Sequence, residues 1–373
     1  MTAVLRVVLD QVVAATSPDL AMASRELSRA LVAGAPEGCA VEGIVPAAAD
    51  VAGTVEGAVP GLVALSRMAL PRRELAASWQ LGVAPGVGGG MIHSPTLMAP
   101  LVRHDRVHAH DQIVATLWDL DAWERAAEMP KPAVAWHRAM LKRAAKHADA
   151  VVVPTHAMAE RLTDLGPFGD RIRVIAGAAP RGFAVPVDEI GRRRALDLPE
   201  GYVLVAGSSA PSSGLAEAFR AVLGAALDAA VVVIDVPEGD EPAVAELAAA
   251  SGLGEGRVQV RGPLEDADRA AVLGGAIALL APSDLSAFPW RVVEALSAGV
   301  PIVATDTPTH REVVWDGGVL AAASDEGALG DALARVLASA AAVERYGVVA
   351  ADRGRAFSWA GAAERVWQLH ADL

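Results

Sequence analysis

A single carboxylate stands in the stretch SAFPWRVVEALSAGVPIVAT (286–305): Glu294, surrounded by Val, Leu and Ala. The preceding run AIALLAPS (276–283) has the apolar continuity of a fully buried strand. DLSAFP then reads as a loop entering a helix, with Pro289 near its first turn, Gly299 as its carboxyl-terminal cap, and a new strand from Pro301. Such a strand–loop–helix–strand unit points the free N–H groups of its helix start to the carboxyl edge of a sheet, where an anion such as a nucleotide phosphate is favoured. Glu294, about a turn into that helix, is placed to accept hydrogen bonds from ligand hydroxyls, which sugars and riboses supply. It equally fits a solvated helix face or an answer to a nearby arginine. Arg291 is open to the same two interpretations, a charge for the anion or a surface residue.

Other chemistry-bearing residues are less patterned. His93, in MIHSP, follows a strand and is either a cleft residue or a satisfied structural histidine. RHDRVHAHD (103–111) offers nitrogen and oxygen ligands from His104, His108 and His110 with Asp105 or Asp111, but in no recognised metal spacing. Cys39 is the only cysteine, so neither an internal disulfide nor a cysteine-based metal site can form, and a reducing cytoplasm fits.

The elements that must position these residues follow an alternating pattern. Short Val- and Ile-rich runs are expected as strands at 5–10, 39–46, 89–95, 113–119, 150–154 and 171–177, then at 202–208, 229–237, 257–263, 276–283 and 301–306. Segments with apolar residues every three to four positions, such as 21–34, 135–149, 156–166, 214–227 and 242–254, are expected as helices. This is the α/β pattern of parallel sheets covered by helices. Residues 178–201 mix Pro, Gly and charge without a period and read as a boundary, so two doubly wound domains joined near 180–200 are expected, with a central cleft at the carboxyl ends of both sheets. A chain of 373 residues exceeds what one core usually supports, and 53% hydrophobic against 21% charged residues excludes a disordered protein. The formal net charge of −13 repels nucleic acid as a whole. The start, MTAVLRVVLDQVV, reads as a first strand rather than a signal peptide, and no apolar run approaches the roughly 18 residues of a membrane span.

The segment APSDLSAFPWRVVEALSAGVPIVATDTPTHREVV (281–314), with 317–339 and RGRAFSWAGAAERVWQLH (353–370), resembles the donor-binding half of retaining GT-B glycosyltransferases of family 4. MIHSPTLMAPL (91–101), ATLWDLDAW (115–123), 143–162, DRIRVIAGA (170–178) and YVLVAGSSAPSSGLAEAF (202–219) extend the resemblance over most of the chain. It implies a GT-B fold of two Rossmann-like domains, 1–180 on the acceptor side and 181–355 on the donor side, with the terminal helix at about 356–373 packing back on the first. It also implies transfer of a sugar from a nucleotide-diphosphate donor, with retention and no obligatory metal; the donor is a substrate and no cofactor is expected. Glu294 matches the glutamate that holds the donor ribose. Ser286 falls where relatives carry a glutamate to the donor sugar, and Ser212 and Ser213 where they carry an Arg and a Lys that clamp the diphosphate. Two such losses would each be expected to cost on the order of a hundred- to a thousand-fold in rate. Ser212, Ser213 and nearby N–H groups, with Arg291 or Arg261, are the replacements on offer, and Phe288 is assigned to the same donor side. Trp118 takes the place of a cleft histidine, with Asp119 retained after it, and 10–27 lacks the Gly-rich loop usual after the first strand. Trp118 is either a sugar-stacking platform or a buried aromatic.

Two functions follow. One is a glycosyltransferase acting on a saccharide or lipid-linked acceptor, cytoplasmic and compatible with peripheral attachment at the inner membrane face. The other is a catalytically degenerate relative that binds glycan or nucleotide, or serves as a partner subunit; homo- and hetero-oligomers are both compatible with the sequence. A dehydrogenase fits poorly, because no G-x-G-x-x-G follows the strand at 5–10 or at 202–208.

Overall fold

The computed structural model describes residues 3–373 apart from 255, 324 and 326; the last two lie in the 317–339 segment quoted above, and residues 1 and 2 in the amino-terminal one. The chain forms two compact units, one running to Gly177 and including Ser358–Leu373, the other Ala178–Phe357.

The first unit is a parallel sheet in the order β3-β2-β1-β4-β5-β6-β7. Its strands are β1 (Ala3–Val8), β2 (Cys39–Val45), β3 (Leu65–Arg67), β4 (Met91–Ser94), β5 (Gln112–Thr116), β6 (Ala150–Val153) and β7 (Ile172–Val174). Helices α1 (Asp10–Val13), α2 (Pro18–Ala33), α3 (Val51–Ala58), α4 (Arg72–Gln80), α5 (Asp121–Glu124), α6 (Lys131–His147) and α7 (His156–Leu165) connect them. β1 pairs with β2 on one side (Leu5 opposite Val41) and with β4 on the other (Leu5 opposite Met91), so the strand order reverses at β1. That reversal opens a crevice at the carboxyl ends of β1 and β4, the usual ligand position in such sheets.

The second unit has its own parallel sheet, β10-β9-β8-β11-β12-β13. Its strands are β8 (Tyr202–Ala206), β9 (Ala230–Ile234), β10 (Val258–Val260), β11 (Ala276–Ala281), β12 (Ile302–Thr305) and β13 (Val319–Ala321). The helices are α8 (Glu189–Ala195), α9 (Leu215–Gly224), α10 (Glu241–Ala250), α11 (Asp266–Gly275), α12 (Trp290–Ala298), α13 (Pro308–Val314), α14 (Ala328–Val336) and α15 (Ala340–Gly354). Val203 and Leu204 of β8 are both fully buried, one facing each side, which explains why this strand reads as an unbroken apolar run. Helix α12 ends at Gly299, whose φ of 68° is the left-handed cap. α15 lies against it backbone to backbone: a Cβ on Gly347 would stand 2.7 Å from the Gly299 carbonyl oxygen, and one on Gly354 2.7 Å from that of Leu296.

Three features go beyond the pattern expected from sequence. β3 and β13, each three residues, escaped the strand pattern. The segment after β1 is a helical turn followed by the helix expected at 21–34, which already begins at Pro18. The aperiodic boundary 178–201 is no open linker: α8 packs on α11, with Arg192 paired to Asp268 at 2.7 Å and Arg193 donating to the Ala271 carbonyl. No helix among the described residues is long and apolar enough to cross a membrane.

The chain's last helix, α16 (Trp359–Asp372), belongs to the first unit and packs on α2, where Trp367 Nε1 donates to the Leu31 carbonyl. A buried polar chain fixes it to the sheet. Gln112 Nε2 donates to the His370 carbonyl, leaving Gln112 Oε1 to accept from His370 Nδ1 at 2.8 Å. His370 Nε2 must then accept from His93 Nδ1 at 3.4 Å, and His93 Nε2 from Thr116 Oγ1 at 3.5 Å. His93 is thus a satisfied structural histidine. A further proton on either ring sets donor against donor. Burial lowers both pKa values, His370 to about 4 and His93 well below its ordinary value, where the charge of His370 adds to the effect.

Groups with depressed pKa values contribute stability that is complete above the unfolded histidine pKa and is lost as pH falls through the folded one. The unfolding free energy is therefore expected to decline between about pH 6.5 and pH 4, with roughly 3 kcal/mol of the decline due to His370. Urea unfolding across this range should show a shallower decline in His370→Gln than in the parent. Parallel curves would remove the histidine pair as the cause.

Candidate functional site

In the second unit the site grows from the loop between β11 and α12. Phe288 is 3% exposed, its ring edge-on to Trp290 at 4.7 Å and to Phe357 at 6.5 Å, so it anchors the loop in the core. Ser286 is 9% exposed, and its carbonyl accepts from Thr309 Oγ1.

Glu294 is fully buried. Arg269 of α11 grips it with Nε 3.1 Å from Oε1 and 2.9 Å from Oε2, and Nη2 2.8 Å from Oε1, while Arg291 Nη1 donates to Oε2 at 2.7 Å. The carboxylate answers two arginines. Arg269 also reaches Asp266 at 2.8 Å and the Leu264 carbonyl, and Arg291 Nε donates to Asp235 at 2.6 Å. Burial opposes the Arg269 charge, and the hydrogen bonds and charge of Glu294 outweigh it, raising its pKa. Asp235, just past the end of β9, holds φ at 61°, a left-handed backbone that costs a non-glycine residue about 1 kcal/mol or more. The result is a chain of alternating charge, Asp266–Arg269–Glu294–Arg291–Asp235, spanning the starts of α11 and α12 and the carboxyl edge of β9.

The β8–α9 turn is tied down by its own hydroxyls. Ser213 Oγ accepts from the Ser208 N–H at 3.1 Å, and Ser209 binds Asp240 through its N–H and its hydroxyl. Ser283 Oγ donates to the Ser212 carbonyl at 3.0 Å, joining this turn to the β11 loop. Gly214, at φ 69°, permits the approach: a Cβ there would stand 2.9 Å from Pro282 Cβ. Ser212, Gly214, Ser283 and Thr305 border a polar cavity of about 250 Å³. Among the described residues its charged lining is Glu217, Asp284 and Asp325 against Arg220, and Arg220 is bonded to Glu217. Arg261, expected to bring charge to a phosphate, has its donors engaged within this unit. Its Nε and Nη2 donate to the carbonyls of Leu196 and Asp197, past the end of α8, and its Nη1 to Val260.

In the first unit a cavity of about 500 Å³ opens at the carboxyl ends of β1, β4 and β5. Trp118 and Asp119 follow β5 into its wall. Trp118 is 5% exposed, donates from Nε1 to the Pro95 carbonyl at 2.8 Å, and meets Trp359 edge to face at 6.3 Å, so it is wall rather than open platform. The Asp119 pKa is raised to about 6, first by burial and then by the charge of Asp121; His137 and the Asp121 N–H work the other way. His137 and Trp136 line the opposite side from α6, and Arg72 and Arg73 from α4. Asp10, fully buried, accepts from Arg72 Nε at 2.9 Å and Gln11 at 2.8 Å through one oxygen; its other oxygen has no hydrogen-bond partner, and burial raises its pKa.

These last residues were not singled out from sequence. The available signal was Pro71-Arg72-Arg73, because two cations in a helix's first turn oppose the helix dipole. The histidine-rich loop holds His104 against Asp149 at 2.8 Å, and no group of three or more His, Cys, Asp or Glu fit to hold a metal occurs among the described residues.

The family model described as glycosyl transferases group 1 matches residues 202–339, from β8 to the start of α15. Over 143 residues the chain is 34% identical to the phosphatidyl-myo-inositol mannosyltransferase of Mycobacterium leprae (strain TN), covering 38% of this chain and 37% of that one. Over 253 residues it is 29% identical to the D-inositol 3-phosphate glycosyltransferase of Nocardia farcinica (strain IFM 10152), covering 61% and 55%. The matches thus span less than two thirds of either relative's length. Among solved structures, Anabaena Alr3699/HepE in complex with UDP and glucose superposes over 100% of both chains with a TM-score of 0.73 at 15% identity. The fold is the GT-B fold, two parallel-sheet α/β domains of seven and six strands.

Removing one partner of a buried pair strands the other charge. Arg269→Met is expected to destabilise the protein by about 3 to 5 kcal/mol in urea unfolding, and Arg269→Met with Glu294→Leu to recover most of that. A double variant as unstable as the single would show that Arg269 acts by packing alone.

Proposed function

We propose that this chain transfers a sugar from a nucleotide diphosphate to a hydroxyl acceptor with retention, the second unit taking the donor and the first unit the acceptor. The observation that carries this is the buried Glu294 with its two arginines beside the start of α12, inside the segment that matches the glycosyltransferase model. The names of both curated relatives, and the UDP and glucose of the Anabaena complex, support the same assignment.

Glu294 receives four bonds from arginine, about the number of lone-pair sites a carboxylate has. Ribose hydroxyls can enter only where an arginine leaves. Arg269 also donates to the Leu264 carbonyl and to Asp266 on its own helix side, whereas Arg291, which also donates to Asp235, stands in the first turn of α12, where a phosphate is favoured. Donor binding therefore exchanges Arg291 from Glu294 to the diphosphate, restoring a cation that Ser212 and Ser213 do not provide. Those serines, with the N–H groups at the start of α9, complete the phosphate contacts. Ser286 meets the donor sugar, and Phe288 keeps its loop in place. Asp119 faces the acceptor hydroxyl, and Trp118 closes the wall behind it. No metal or cofactor is assigned.

A second function, nucleotide or glycan binding without turnover, is favoured by one observation: among the described residues, the cavity beside Ser212 carries three acids and one already paired arginine. Thermal unfolding with UDP, GDP and ADP, and turnover of their sugar conjugates, separate the two. A ligand at a hundred times its dissociation constant adds about 2.7 kcal/mol. Stabilisation together with sugar release or transfer is the expected result, and Arg291→Ala should lower turnover by about a hundred-fold or more. Stabilisation without turnover would leave the binding function, and no stabilisation by any nucleotide would refute both transfer and nucleotide binding.

A further inference from the structure

The first unit's cavity, of about 500 Å³, suits one small molecule, and α4 lines it with donors that the fold leaves unused. Among the described residues, no bond within the protein takes the two Nη groups of Arg72, the guanidinium of Arg73 or the side-chain amide of Gln80. Arg72 spends only its Nε, on Asp10 at 2.9 Å, and its side chain is 20% exposed. Thr96 adds a hydroxyl whose oxygen accepts from the Met98 N–H at 3.2 Å, which leaves its proton to donate. Two arginines in a helix's first turn oppose the helix dipole, so folding alone does not favour them there.

The wall after β5 and on α6 supplies acceptors instead. His137 Nδ1 donates to the Ala133 carbonyl at 2.8 Å, which makes Nε2 an acceptor, and Asp119 Oδ1 takes the Asp121 N–H at 3.2 Å, leaving its second oxygen. A ligand that fills this cavity takes water from the α4 donors, and an ionic donor left unanswered is costly. A neutral polyol satisfies the amide and the hydroxyl but not the guanidinium charge. A phosphate monoester answers both: it carries about two negative charges at neutral pH, and its three terminal oxygens accept from several N–H groups at once, as arginine forks donate. A carboxylate has only two oxygens. Asp119 is the one acid of the lining among the described residues, and Asp10, which does not line the cavity, answers Arg72 at Nε alone.

We infer that this cavity binds a small polyol carrying a phosphate monoester, with the phosphate on Arg72, Arg73 and Gln80 and hydroxyls donating to Asp119 and His137. This rests on the acceptor role proposed above and names the class of acceptor, a phosphorylated one. Binding needs no nucleotide, so it can be measured whether or not the protein turns over a nucleotide sugar.

Titration calorimetry tests it with glucose 6-phosphate and myo-inositol 1-phosphate, each set against its unphosphorylated parent. At least one phosphate is expected to bind about tenfold or more tightly than its parent. Arg73→Ala, at an exposed position, and Arg72→Lys, which keeps a cation beside Asp10 but removes the fork, should each reduce that preference while leaving the circular dichroism unchanged. Neither phosphate preferred over its parent, or a preference that survives both substitutions, would overturn the inference. Glucuronate binding more tightly than either phosphate would overturn it too. A preference lost on substitution, in a protein stabilised by no nucleotide, would keep this ligand class and lose its role as acceptor. Sugar transfer to a neutral polyol, with no preference for phosphate, would keep the transfer and lose the inference.

Discussion

Glu294 cannot stand where it does without arginine. An ionised carboxylate taken out of water costs several kcal/mol unless it is paired and hydrogen-bonded, and α12 places this one at zero exposure. Arg269 and Arg291 meet it from two helices, and Asp266 and Asp235 in turn steady the arginines. Because apolar residues of similar volume would give comparable stability, the retention of five charges in one chain points to use rather than to stability. Asp235 reinforces the point. It holds a left-handed backbone and directs its carboxylate at Arg291, a local cost that the fold carries at the carboxyl edge of β9.

The two units handle polarity in opposite ways. The second concentrates charge: an ionic chain at the α12 start, and serine turns that bond to themselves and to Asp240. The first buries an acid in the wall of its cavity, and burial together with the charge of Asp121 brings the Asp119 pKa to about 6. The wall depends on α16, which contributes Trp359 against Trp118 and His370 against His93. Residues some 180 positions beyond the rest of the first unit thus support the wall of its cavity.

What was legible in the sequence was periodic. The alternation of apolar strands with helices at three-to-four spacing located eleven strands within a few residues and gave α12 its cap at Gly299. β3 and β13 were illegible because three residues at a sheet edge carry too little pattern, and α8 because none of its residues is fully buried. Glu294 stood out as a lone acid, but its main partner lies 25 residues upstream on another helix, a distance no local rule spans. Arg261 looked available as a cation until α8 supplied carbonyls for it. Arg72 and Arg73 meet His137 at one cavity only because α4, which follows β3, and α6, which follows β5, both border it.

The role given to Glu294 is tested most directly on the ligand itself. Titration calorimetry would compare the nucleoside diphosphate that stabilises the protein with its 2′,3′-dideoxy analogue, on the parent and on Glu294→Ala. If the carboxylate takes the ribose hydroxyls, their removal weakens binding about tenfold on the parent, equivalent to 1.4 kcal/mol, and makes almost no difference on the variant. Equal affinity of the parent for both nucleotides would contradict it.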